Sequence, residues 1–93
     1  AILSFADKET AKIFHRKFSK KLPQDIQRTA LRKLIYMDKV ETLNDLRVPP
    51  SNHLEPLQGH RKGQFSIRIN EQYRICFTVQ SQGFDDVEIT DYH

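Results

Sequence analysis

From Phe65 to Val79 the chain alternates apolar and polar residues with a period of two, interrupted only at Asn70-Glu71-Gln72. Successive side chains of a strand point to opposite faces, so the pattern predicts two strands, each with one apolar face. Phe65, Ile67 and Ile69 point one way, and Ser66 and Arg68 the other. Beyond the interruption Tyr73, Ile75, Phe77 and Val79 face the core, opposed by Arg74, Cys76 and Thr78. Burial then selects the register. Pairing Ile69 with Tyr73 matches the apolar faces throughout, whereas a shift of one residue sets Ile69 beside Arg74 and mixes them. In the selected register Arg68 lies directly across from Arg74, and Ser66 across from Cys76. Two cations opposed on a sheet face repel each other. Three arrangements relieve that: a bridging phosphate or carboxylate, which suits the guanidinium fork; an ion pair with Glu71, Glu88 or Asp91; or intervening water.

The rest of the chain supplies cover for the apolar face. Ile2, Leu3 and Phe5 read as a short first strand, and Val87 and Ile89 mark the last, after a turn over 80–85 around Gly83. From Asp7 the spacing becomes helical, with Ala11, Phe14 and Phe18 on one side and Asp7 as the cap. Pro23 opens a second helix whose apolar side is Ile26, Ala30, Leu34 and Met37. Glu41 to Leu46 forms a further short turn, and Pro49-Pro50-Ser51-Asn52 begins a loop that runs to Gly63. The expectation is a single α+β domain over residues 1–93, in the order β-α-α-β-β-β. Its N-terminal helices cover one face of a small antiparallel-rich sheet, and the other face is open.

Charge is unevenly spread. Residues 1–40 hold ten Lys and Arg against four Asp and Glu, a balance of +6, and residues 41–93 hold five against eight, a balance of −3. The basic half fits a polyanion or an acidic protein, or simply a solvated helical surface. With one cysteine, Cys76, no internal disulfide or multi-cysteine metal site is expected, and four histidines lack zinc-ligand spacing. No cofactor loop, nucleophile elbow, membrane span or secretory leader is read, so a cytoplasmic protein without cofactor or metal is expected.

Two further clusters carry chemistry. His60-Arg61-Lys62 lies between Gly59 and Gly63, where the backbone can turn closely and Arg61 or Lys62 can meet a phosphate. Asp91, Tyr92 and His93 place a carboxylate, a phenol and an imidazole at the end of the sheet. The imidazole of His93 is a candidate general acid or base. Strand parity sets Tyr92 with Glu88 and Thr90 on the face of Arg74, and Asp91 on the alternate side. Tyr92, and Phe84 in the Gly83 turn, are the aromatics placed to stack a base.

Leu54-Glu55-Pro56-Leu57-Gln58-Gly59, Gly63-Gln64-Phe65-Ser66-Ile67-Arg68, Tyr73-Arg74-Ile75-Cys76-Phe77 and Asp91-Tyr92-His93 together resemble the HigB-like (plasmid maintenance killer) branch of the RelE/ParE toxin superfamily. The resemblance spans almost the whole chain. It implies a ribosome-dependent endoribonuclease, an mRNA interferase, that cleaves by metal-free attack of a ribose 2′-hydroxyl on the adjacent phosphate. The family's phosphate-binding arginine falls on Arg74, and its terminal cluster on Asp91, Tyr92 and His93. A histidine and a lysine that serve catalysis in better-studied members are replaced here by Glu55 and Gln58, which implies a slow enzyme with Glu55 as a substitute base. Arg68, Arg61, Lys62 and Gln58 are then expected to contact RNA. The implied partners are a cognate antitoxin with a helix-turn-helix domain, the ribosome and mRNA, and operator DNA only through the antitoxin complex. Two other readings share the fold: a ParE-like inhibitor of DNA gyrase, and a non-catalytic nucleic-acid-binding module that relies on Lys17, Lys20 and Lys21.

Overall fold

The structure, a computed structural model, describes residues 1–91. Helix α1 (Lys8–Phe14) starts where the Asp7 carboxylate accepts the Thr10 backbone N–H at 3.4 Å, with Glu9 in the favourable first turn. It ends sooner than the spacing predicts, because Arg16 adopts a left-handed φ of 65° and turns the chain away. Phe18 therefore leaves the helical side on which periodicity placed it and stands 59% exposed. Helix α2 (Gln24–Lys39) follows Pro23 and buries Ile26, Ala30, Leu34 and Met37, the four residues of its predicted apolar side.

Four strands form an antiparallel sheet in chain order: β1 (Glu55–Pro56), β2 (Phe65–Arg68), β3 (Tyr73–Gln80) and β4 (Gly83–Asp91). The β2–β3 register pairs Ile67 with Ile75, Ser66 with Cys76 and Arg68 with Arg74, as burial required. One face of the sheet packs Ile67, Ile69, Ile75, Phe77, Phe84, Val87 and Ile89 against the buried side of α2, Ile13 and Leu46. Leu46 comes from a 3-10 turn at Leu43–Arg47, closed by a Thr42–Asp45 capping box. The helices lie on this face only. The other face, expected to be open, is partly covered by the 53–64 segment, which leaves Ser66 and Cys76 buried and the Arg74 side chain 14% exposed.

Several expectations need correction. Ile2 to Phe5 does not form a continuous strand; Ile2 and Phe5 make isolated parallel bridges to Phe84 and Val87. Between the bridges β4 bulges. Cys76 pairs with Glu88 but Thr78 pairs with Asp85, so two β4 residues oppose Phe77, and Asp86 takes a left-handed φ of 50°. The Asp86 N–H, turned out of the ladder, donates to Ser4 Oγ at 2.9 Å. The segment nonetheless covers β4: Leu3 N–H donates to the Phe84 carbonyl at 2.8 Å, and Ala6 N–H to that of Val87 at 3.0 Å. Ile89 N–H is met by the buried Thr10 hydroxyl at 2.9 Å.

The last hairpin turns at Ser81-Gln82, not over 80–85, since both strands continue to Gln80 and Gly83. Phe84 is consequently a core residue, fully buried and edge-on to Phe77 with ring centroids 5.1 Å apart. It offers no stacking surface. Val79 is 38% exposed because β2 begins opposite Phe77 and provides no neighbour farther along. The stretch expected to be loop contains β1 as well as 3-10 turns at Pro50–Asn52 and Gly59–Arg61.

Candidate functional site

Directly opposed residues in a sheet share a face, so the registers assemble a site from four strands. Glu55 pairs with Ser66, Ser66 with Cys76 and Cys76 with Glu88, forming one transverse row. Two residues along, Arg68 pairs with Arg74 and Arg74 with Thr90, forming the next. The first row has small side chains in the middle and a carboxylate at each end. The long arginine of the second row lies down toward it.

Arg74 donates from Nε to Ser66 Oγ at 2.7 Å and from Nη2 to the His53 carbonyl, and Nη2 stands 3.8 Å from Glu55 Oε1. Its side chain is only 14% exposed. The guanidinium has five N–H donors. The Ser66 and His53 bonds use two and fix its plane. Ser66 was placed on this face by its period-two position, but its grip on Arg74 depends on the side-chain conformation, which periodicity does not encode.

Among the described residues the two arginines pair with different carboxylates. Arg68 turns to Glu71, with Nη2 4.0 Å from Oε1, and Arg74 to Glu55. Of the ion pairs weighed from the sequence, the Glu71 one is present. Glu88 instead pairs with Arg61, whose Nη1 lies 3.1 Å from Glu88 Oε1 and 3.0 Å from Gln64 Oε1. Arg61 thus reaches back from the Gly59–Arg61 turn to the sheet, while Lys62 and Gln58, at the two ends of that turn, are exposed. Beneath these charges Cys76 is 1% exposed. Burial pushes its thiol pKa up, and Glu88 adds to the rise while Arg61 and Arg74 oppose it.

The Asp91 carboxylate accepts the Gln72 side-chain amide at 2.9 Å, and its backbone pairs with Tyr73, one position beyond the Arg74–Thr90 pair. That is the alternate parity predicted for it. Tyr92 and His93, the other members of the terminal cluster, lie outside the described residues. Glu55, by contrast, is brought to Arg74 by the short strand β1, a feature hidden in what read as loop.

Residues 3–93 match the family described as RelE-like toxin of the type II toxin-antitoxin system HigB. This chain belongs to that family. The HigB-like chain is 37% identical over 91 residues to Toxin HigB-1 of Vibrio cholerae, covering 97% of this chain and 92% of that one. It is 39% identical over 61 residues to an uncharacterized protein of Haemophilus influenzae, covering 66% of this chain and 60% of that one. Its fold is that of the crystal structure of a YafQ mutant from E. coli, with a TM-score of 0.60 at 15% identity over 98% of this chain and 91% of the other. The HigB-like chain is thus a toxin of a type II toxin-antitoxin system with the RelE/ParE-like α+β topology. No helix among the described residues is long and apolar enough to cross a membrane.

Proposed function

We propose that this toxin is a ribosome-dependent endoribonuclease that cleaves mRNA in the cytoplasm and is neutralised by a cognate antitoxin. The observation that carries the reading is the Arg74 fork, pinned by Ser66 and the His53 carbonyl on the helix-free face with a carboxylate beside it. Family membership supports it.

The reaction needs no metal in this reading. A ribose 2′-oxygen attacks the adjacent phosphorus, its proton passes to a base, and the bond to the 5′-oxygen breaks as that oxygen gains a proton. The products are a 2′,3′-cyclic phosphate and a free 5′-hydroxyl. Arg74 binds the crowded phosphate and stabilises the charge it gains at the transition state, with Arg68, Arg61, Lys62 and Gln58 along the RNA path. Glu55 stands beside the phosphate-binding group, where a base accepting the 2′-hydroxyl proton is needed. Tyr92 orients or stacks the nucleotide, and Asp91 and His93 serve the remaining proton transfer. A carboxylate where relatives use a histidine cannot also stabilise the phosphate, so the enzyme is slow. The antitoxin brings the helix-turn-helix domain, and operator DNA is met only through the complex.

The test is primer extension of mRNA on translating ribosomes with wild type and Arg74→Ala side by side. New 5′ ends with wild type, reduced about a hundredfold or more by Arg74→Ala, are the expected result. Wild type that arrests growth by inducing DNA damage, with mRNA intact, refutes the nuclease reading and favours a gyrase-directed toxin.

A further inference from the structure

Asn52 ends the Pro50–Asn52 turn and is enclosed in the fold, 2% exposed. Its side chain joins separate segments. Nδ2 donates to the Leu46 and Val48 carbonyls at 3.2 and 3.4 Å, and Oδ1 accepts from Lys33 Nζ of α2. A buried amide left without partners is costly, so these bonds fix where the chain can lie at residue 52. Lys33 is half-buried, and burial pushes its pKa down, with the charge of Arg32 adding to the fall. Among the described residues its ammonium pairs with no carboxylate; it is held by this amide.

The next residue turns on that anchor. His53 has φ 46° and ψ 53°, a left-handed conformation that a residue other than glycine keeps only where its surroundings hold it. Its N–H donates to the Pro50 carbonyl at 3.0 Å, and its carbonyl accepts from Arg74 Nη2. The contact with Arg74 is therefore made by the main chain and not by the imidazole. Ser66 holds one donor of the guanidinium and the His53 carbonyl a second, so two contacts define a plane that one would leave loose.

We propose that Asn52, anchored by Lys33, is a positioning residue for Arg74, acting through the His53 carbonyl to hold the guanidinium plane. Its bearing on cleavage rests on the reading that Arg74 binds the scissile phosphate. Asn52 touches no part of the site with its own side chain; it sets the direction of a carbonyl that does.

The experiment combines single-turnover cleavage on programmed ribosomes, over a range of toxin concentrations, with NMR of Arg74 guanidinium rotation in the free toxin. Wild type is compared with Asn52→Asp, Lys33→Met, His53→Val and His53→Asn, and urea unfolding verifies folding. Asn52→Asp keeps the shape and the Lys33 contact but turns lone pairs instead of donors toward the Leu46 and Val48 carbonyls. Its maximal rate should fall about tenfold or more, while the half-saturating toxin concentration changes by less than about twofold. Rotation of the Arg74 guanidinium should quicken about tenfold or more as a hydrogen bond to a charged group is lost. Lys33→Met, which leaves the amide its other two bonds, should move rate and rotation the same way by less, and decides the matter if Asn52→Asp does not fold. Asparagine tolerates the left-handed region and valine does not, so His53→Val should cleave about tenfold or more slowly than His53→Asn. Folded Asn52→Asp and Lys33→Met proteins with wild-type Arg74 rotation overturn the assignment, even where the rate falls. Equal rates in the two His53 variants remove the part of the backbone and overturn it as well. Wild type that cleaves no mRNA overturns the nuclease reading instead, and the rotation rates then decide the positioning by themselves.

Discussion

Replacing Ser66 with Ala separates the aim of Arg74, the proposed phosphate-binding group, from its charge. The hydroxyl is fully buried and accepts Arg74 Nε–H at 2.7 Å, a hydrogen bond to a cation. Such bonds contribute about 1.5–3 kcal/mol. With the Arg74 side chain 14% exposed, water replaces the lost partner poorly. For a domain of this size each kcal/mol moves the melting temperature by about 4–8 °C, so Ser66→Ala should melt at least about 6 °C lower. Arg74 keeps its His53 contact and its charge, so RNA affinity should change little. A guanidinium displaced by about 1 Å should nevertheless lower kcat, by about 10- to 100-fold. Single-turnover cleavage on programmed ribosomes and urea unfolding read the two effects separately. In an Arg74→Ala background Ser66→Ala should cost much less, because the interaction is already gone. A Ser66→Ala protein that melts and cleaves like wild type, or costs that are additive in the double variant, refutes the positioning argument.

Gly83 has a φ of 152°, and a Cβ there would stand 2.1 Å from the Ala1 carbonyl oxygen, so Gly83→Ala should destabilise by about 1–3 kcal/mol or more, read by urea unfolding. Cys76, buried and with its thiol pKa raised, should resist iodoacetamide at pH 8 in the native protein and react once unfolded; rapid native alkylation, followed by mass spectrometry, contradicts the burial. Glu9 is held below the usual carboxylate range first by the Ser19 hydroxyl, with Lys12 assisting against its desolvation. A depressed carboxylate stabilises the fold above its unfolded pKa, and this contribution disappears as pH falls through the folded value. The stability gap between wild type and Glu9→Gln should therefore narrow below about pH 4, measured by denaturant unfolding at stepped pH.

The elements legible in the sequence are those whose burial repeats. Ile26, Ala30, Leu34 and Met37 mark α2 because one face must be apolar over four turns, and the central hairpin has one register that keeps Ile67 and Ile75 together. What escaped reading depends on single residues. β1 is two residues long and contains a proline, too little for an alternation to register. The left-handed turns at Arg16 and Asp86 occur without glycine, so nothing in the spacing announces that α1 stops or that β4 bulges. At the site, Arg74 and its face followed from parity. Its contacts with Ser66, the His53 carbonyl and Glu55 are set by side-chain conformation and the path of the 53–64 segment.

The way β4 and β1 finish the sheet bears on how this toxin meets other molecules. A bare strand edge is a template on which a second chain can extend the sheet, and folded proteins must blunt it. Here Pro56 lacks the amide proton needed for such extension, and Leu3, Ser4, Ala6 and Thr10 occupy hydrogen-bonding groups of β4 from Phe84 to Ile89. Addition of a foreign strand is therefore disfavoured at Pro56 and along the covered stretch of β4, while Ile67 and Arg68 of β2 extend beyond their pairing with β1.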